Sequence, residues 1–274
     1  MLAQPAENLE RAIGKLKSLH DGDVGVVEVV ACGPRAIPAL RTLLFEREPS
    51  GLFQTRCLAV EALARLRAHE VLTDYLSREQ MASDPVERLG DDAVINAAAQ
   101  ALASVREQRV FELLLRLAQR PALTGVIRAL GGFQRPEAIP TLINALEDDA
   151  SRRVAEAALI GLGRRARSAL VSSAKMPLPS RERESESSLR RRRSALKVLG
   201  EIGISQKLWP ALRCLMHDPD ARISLLACEL CLVSARVGER DSAVLRLMAL
   251  LPEVDWMLRD EVQNVLRTYV QSAR

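Results

Sequence analysis

The phrase Ala36-Ile37-Pro38-Ala39-Leu40 returns as Ala138-Ile139-Pro140-Thr141-Leu142 and again as Leu208-Trp209-Pro210-Ala211-Leu212. Its prolines lie 102 and then 70 residues apart, which is three and then two units of 34 to 35 residues. That period is the length of a helical hairpin repeat, in which each helix pair buries its apolar face by stacking on its neighbours. The spacing of apolar residues agrees. Ile37, Leu40 and Leu44 mark one helical face, as do Ile139, Leu142 and Leu146, then Trp209, Leu212 and Met216, then Val244, Leu247 and Leu251.

The segments between these phrases are rich in alanine and leucine, as in Ala59-Val60-Glu61-Ala62-Leu63-Ala64 and Ala98-Ala99-Gln100-Ala101-Leu102-Ala103. They predict a second helix in each unit, because alanine favours helix and lets helices approach closely. Gly33, Gly131, Gly163, Gly203 and Gly238 stand where they would end helices, and proline then opens the next at a position that needs no backbone donor. Asp148-Asp149 and Asp218-Pro219-Asp220 are placed to cap second helices by accepting from free amides. Arg152 and Arg222 follow the first aspartate of each group by four residues, a spacing that predicts an exposed ion pair contributing about 0 to 1 kcal/mol.

These signals predict an all-α chain, a right-handed alpha-alpha superhelix (alpha-solenoid) of about seven to eight helix pairs forming one domain over residues 1–274. An N-terminal pair over 1–33 serves as a cap. Seven further pairs begin near Arg35, Glu70, Gln108, Pro136, Arg165, Gln206 and Arg240, the repeats covering 34–251, with insertions near 78–92 and 175–188. A C-terminal capping helix covers 252–274, and whether Leu258, Val262, Val265, Leu266 and Tyr269 leave an apolar face for a second chain stays open.

No apolar run approaches the roughly 20 residues of a membrane span. The opening residues lack a secretory pattern, so a cytoplasmic protein is expected. Five cysteines, Cys32, Cys57, Cys214, Cys228 and Cys231, suit a reducing compartment. Cys228 and Cys231 have the spacing of half a metal site that Cys214 or His217 could supplement. The neighbouring Ile223, Leu226, Ala227, Leu230 and Val233 follow helical spacing, however, and favour core packing. No cofactor is expected.

The Ala-Ile-Pro-x-Leu phrase, the aspartate turns followed by Arg152 and Arg222, and the endings Leu159 to Gly163 and Leu196 to Gly200 resemble the HEAT-repeat family, particularly bacterial HEAT-like repeats of the phycobilisome-lyase type. The resemblance covers most of residues 33 to 251. It implies antiparallel helix pairs with second helices lining a concave face, and it implies binding more strongly than chemistry.

Candidate binding positions follow from the register of the second helices. The residue before each recurring pair is Glu61, Gln100, Arg128, Ala157, Lys197 and Glu229 in turn, a mixed row suited to a protein or peptide partner. Net charge is +4, and residues 175 to 195 alone hold seven basic and three acidic side chains, so the whole excess sits in one insertion and helix start. Arg190, Arg191 and Arg193, with Arg152, are therefore expected to meet an acidic segment of the partner. Nucleic acid is not expected, because the bases are not spread along a groove and aromatic residues are only 3%.

Phosphate loops, nucleophile elbows and His-Glu-x-x-His helices are missing from the sequence, so no enzymatic activity is expected. The expected function is a noncatalytic scaffold or adaptor binding along the concave face. Two alternatives are a DNA-binding HEAT-like protein of the alkylpurine glycosylase type and, from the resemblance alone, a bilin lyase or phycobilisome-degradation factor.

Overall fold

A computed structural model describes residues 4–46, 53–78, 84–121, 123–178 and 183–272, which are helical apart from short connections and include no strand. The expected single repeat domain groups into two compact units, residues 1–133 and residues 134–274. Parts of both expected insertions, 79–83 and 179–182, lie outside the described residues.

The first unit contains four antiparallel pairs: α1 (Gln4–Leu16) with α2 (Gly22–Ala31), α3 (Ile37–Phe45) with α4 (Gln54–Arg65), α5 (His69–Ser77) with α6 (Pro85–Ala101), and α7 (Gln108–Leu117) with α8 (Thr124–Phe133). The second helices α2, α4, α6 and α8 pack in succession, and α3, α5 and α7 form the other layer. Between the layers Leu40, Leu44, Leu63, Leu72, Leu114 and Leu130 are withdrawn from water. Here the helical spacing of leucine read from the sequence becomes a continuous core.

The second unit pairs α9 (Ile139–Asn144) with α10 (Asp149–Leu162) and α11 (Arg167–Lys175) with α12 (Glu186–Ile202). Two 3-10 helices, Trp209–Ala211 and Arg213–His217, then take the place of a first helix beside α13 (Ala221–Ser234), and α14 (Val237–Leu250) pairs with α15 (Trp256–Ser272). Helices α10, α12, α13 and α15 again pack in succession. Both units are thus stacks of helix pairs, the all-α solenoid construction that the repeat length required.

Several local expectations need correction. Gly33, Gly163 and Gly203 do adopt positive φ, but Gly131 lies inside α8 and Gly238 inside α14. The left-handed turns elsewhere are taken by Arg67 and Gln134, both at φ 56°, residue types that carry no such signal. Residues 85–92, expected as inserted connection, form the first two turns of α6, capped by Asp84, whose carboxylate accepts from Val86 N at 2.8 Å. Asp148 and Asp220 cap α10 and α13 as expected. Their arginines pair differently, because Arg152 meets Asp149 at 3.2 Å rather than Asp148, and Arg222 donates to Glu261 Oε2 at 2.7 Å.

Two contacts within the first unit were not foreseen. Asn96 of α6 accepts from Gly125 N at 2.7 Å and so caps α8 from a neighbouring helix. A Cβ at Gly125 would fall 2.5 Å from the Asn96 carbonyl oxygen, so this approach requires glycine. Arg56, at the start of α4, donates to the Leu44 carbonyl at 3.1 Å, to Asp91 Oδ1 at 2.7 Å and to the Tyr75 hydroxyl at 2.7 Å, all in a buried setting.

Candidate functional site

The second-helix face of residues 134–274 is built by four helices whose first turns are closed by side chains. Asp148 accepts from Ser151 N at 3.2 Å, Ser185 from Ser188 N at 3.2 Å, Asp220 from Ile223 N at 2.9 Å and Asp255 from Leu258 N at 2.9 Å. Each cap satisfies an amide that the helix cannot. The caps fix where each helix starts, and hence which residues of it look outward.

The arginine run falls in the second and third turns of α12, and each of its members donates to an acceptor within the unit, although the buried Arg191 Nε has no hydrogen-bond partner among the described residues. Arg190 Nη1 donates to the Glu147 carbonyl at 2.6 Å, and Arg191 Nη2 to the Met176 carbonyl at 2.6 Å. Arg192 donates through Nε to the Ala174 carbonyl at 2.8 Å and through its two Nη atoms to Glu184 and Asp218. Arg193 forks onto both oxygens of Asp220, with Nε at 3.1 Å from Oδ1. Although burial acts to raise the Asp220 carboxyl, the bonds from Arg193 and the Ile223 amide and the charges of Arg193 and Arg192 outweigh it and hold the pKa below its ordinary value. Arg191 and Arg192 are buried. The four side chains thus tie α12 to the ends of preceding helices and to the turn before α13.

The row read from the sequence is on the surface. Glu61, Gln100, Arg128, Ala157 and Lys197 are exposed, and Glu229 is half-buried. Glu61 pairs with Arg65 at 2.6 Å, and Lys197 donates to Glu156 at 2.9 Å. Arg167, in the position where other units carry isoleucine, closes the far end of α12 by donating to the Ile202 carbonyl at 2.7 Å.

Two grooves flank α13. One, of about 660 Å³, runs between α13 and α15 and is walled by Leu232, Val265, Thr268 and Tyr269, with Arg240 of α14 at its edge. The other, of about 210 Å³, lies between α12 and α13, with Gly200, Glu201 and Leu226 in its lining. Glu229 and Val233 belong to both, so they form the ridge that separates them. Val233, in the last turn of α13, is 78% exposed, a high degree for an aliphatic side chain. Gly200 has open space where a side chain would stand, and this keeps the smaller groove clear. The sequence supplied Glu229 through its register. Val233 was read only as a core-spacing residue, because periodicity cannot tell a buried ridge from an exposed one.

The cysteines do not assemble a site. Cys228 and Cys231 are buried in α13 and Cys214 is exposed. Burial pushes the Cys228 thiol up to about 12, with Cys231 adding to the effect, and burial and Glu239 push Cys231 to about 11. Among the described residues no group of three or more His, Cys, Asp or Glu side chains could hold a metal ion. No helix among them is long and apolar enough to cross a membrane.

The fold defines a helical-repeat protein built of stacked helix pairs. Residues 124–148 match the PBS lyase HEAT-like repeat, the repeat type that the sequence resembles. The complex of CpcE and CpcF of phycocyanin lyase from Nostoc sp. PCC7120 is similar at 20% identity and TM-score 0.39, over 95% of this chain and 94% of that one. Human deoxyhypusine hydroxylase in complex with glycerol is similar at 16% identity and TM-score 0.35, over 98% and 96%. An engineered protein from a structural genomics consortium is similar at 16% identity and TM-score 0.37, over 96% and 79%. No curated protein matches the sequence. The expectation that the chain is not an enzyme is corrected by these likenesses, which include a lyase and a hydroxylase. Missing sequence motifs of unrelated enzyme folds say nothing against catalysis on a helical repeat.

Proposed function

We propose that the protein binds a protein or peptide partner along the second-helix face of residues 134–274, as a scaffold or adaptor does. The observation that carries this is the ridge of Glu229 and Val233 between two open grooves, of about 660 and 210 Å³, on adjacent second helices. An extended chain laid across α12, α13 and α15 would cover Val233 and fill both grooves, which is how solenoids use their repeated faces. The mixed row Ala157, Lys197 and Glu229 borders the same track. The arginine run supports the track by holding α12, since each of its four side chains donates to an acceptor within the unit. In this reading the protein works in the cytoplasm, and its five unbridged cysteines support a reducing compartment.

The test is affinity purification of the tagged protein beside a Val233→Arg, Val265→Arg double variant, followed by identification of the co-purifying polypeptides. Both residues border the large groove and neither is buried, so the variant should melt as the wild type does. Loss of specific partners from the variant is expected. The same partners returning with both proteins would refute the reading.

A further inference from the structure

Glu229 is the one member of the outward row in this unit that carries a charge without using it. Its carboxylate makes no hydrogen bond or ion pair among the described residues, although it is half-buried on the ridge between the two grooves. Burial holds its pKa above the ordinary value and Glu261 adds to this, while Arg222 acts in the opposite direction. Arg222, however, is already bound to both oxygens of Glu261. The other cations near the grooves are also engaged, Lys197 with Glu156 at 2.9 Å and Arg240 through Nε with the Ala235 carbonyl at 3.0 Å. Glu201, exposed on the lining of the smaller groove, is a second carboxylate with no partner among the described residues. A half-buried carboxylate is stabilised by a cation that arrives with its own apolar stem, and the surroundings supply matching surface in Val233, Leu226, Leu232 and Val265.

Building on the binding face proposed above, we propose that Glu229 anchors a lysine or arginine side chain of the bound peptide, with aliphatic neighbours of that residue packed against Val233 in the two grooves. The occupant is thus a basic and aliphatic segment. Charge complementarity selects it, because the unpaired groups on the track, Glu229 and Glu201, are both acidic. An acidic segment would place like charge against Glu229 in a partly desolvated site, the arrangement that rejects a partner.

The experiment selects binders from a phage-displayed library of random decapeptides on the immobilised full-length protein and measures winning peptides by fluorescence anisotropy. The expected winners carry a lysine or arginine flanked by aliphatic residues. They should bind Glu229→Gln at least tenfold more weakly than wild type, and replacing their basic residue by norleucine should cost a similar factor on the wild type. Glu70→Gln, exposed in α5 of the other unit, should leave their affinity unchanged. The norleucine peptide keeps the test independent of any effect of Glu229→Gln on folding. Winners that lack a basic residue, or that bind Glu229→Gln and wild type alike, overturn the proposal. If such winners still lose affinity for Val233→Arg, the binding face survives and the cation anchor falls. If Val233→Arg also has no effect, both fall.

Discussion

Arg56 and Asp91 lie 2.7 Å apart with almost no exposure to water, and they join the second helix of one pair to the second helix of the next. Arg192 does the corresponding work in the other unit. Each arginine stands five residues before a member of the outward row, Glu61 or Lys197, donates through Nε to a carbonyl near the end of the preceding first helix, and reaches a carboxylate of the following pair. A guanidinium suits this task because its planar fork satisfies several acceptors at once. The expected outcome is that Arg192→Ala costs about 3–5 kcal/mol, since Glu184 and Asp218 would be left unpaired in a largely dry site. Arg190→Ala, whose partner Asp149 is exposed, should cost about 1 kcal/mol. Urea denaturation of the two variants distinguishes them.

Acid should loosen the contact between α12 and α13 once Asp220 is protonated. Asp220 has a folded pKa below its ordinary value, so its contribution is present above the unfolded carboxylate value of about 4 and is lost as pH falls through the folded one. Asp220→Asn keeps a helix-capping side chain but loses the charge shared with Arg193. At pH 7 it should be less stable than wild type by about 1 kcal/mol, and the gap should narrow as pH falls below the unfolded carboxylate value of about 4. Thermal melts across that range give the comparison.

Glu229 predicts the opposite sign. Its folded pKa is raised, so it favours the folded state at pH values below the unfolded carboxylate value, and that contribution disappears as pH rises through the folded value. Glu229→Gln should therefore melt about 1–2 °C higher than wild type at pH 7 and equal to it near pH 3.5. A lower melting point at neutral pH would mean that the carboxylate has a stabilising partner after all.

Gly200 should separate stability from binding. It lies within α12 and has open space at its Cβ position, so Gly200→Ala ought to stabilise the fold by about 0.5–1 kcal/mol through the unfolded chain. Gly200→Gln should also fold normally while filling the smaller groove, and its retention of partners should fall severalfold. Melting temperature and partner retention, measured on the same preparations, are expected to move in opposite directions.

Thiol chemistry should resolve the cysteines into classes. Cys214 is exposed and should react first with a thiol-specific disulfide reagent at pH 8, a phase that Cys214→Ser removes. Cys228 and Cys231, with thiols pushed up to about 12 and about 11, should react only on unfolding.

The layout of the helix pairs was legible because it rests on short-range chemistry. Prolines at helix starts, aspartates before second helices and leucines at helical spacing each act within a few residues. What was not legible depends on partners distant in sequence. Arg192 stands in a run of four arginines, and nothing in the run announces that Ala174, Glu184 and Asp218 converge on this one. Arg67 and Gln134 take left-handed turns without glycine because the tertiary fold imposes them. Asp84-Pro85 did carry a readable cap-and-start signal, but it was absorbed into an expected insertion. For the site, register named Glu229, which stands half-buried on the ridge between the grooves. That it has no partner among the described residues, and that Val233 stands beside it in the open, only the packing of three helices could reveal.

The two 3-10 helices Trp209–Ala211 and Arg213–His217 set the seventh pair apart from the others. A 3-10 helix rises about 2.0 Å per residue against about 1.5 Å in an α-helix, so a short segment spans the height that a longer helix covers in other pairs. The same winding has poorer hydrogen bonds, and it faces α13, the helix that carries the ridge. A pull or twist on the stack would be absorbed first at this seam. In the binding face proposed above, a partner seated on the ridge would press on this seam.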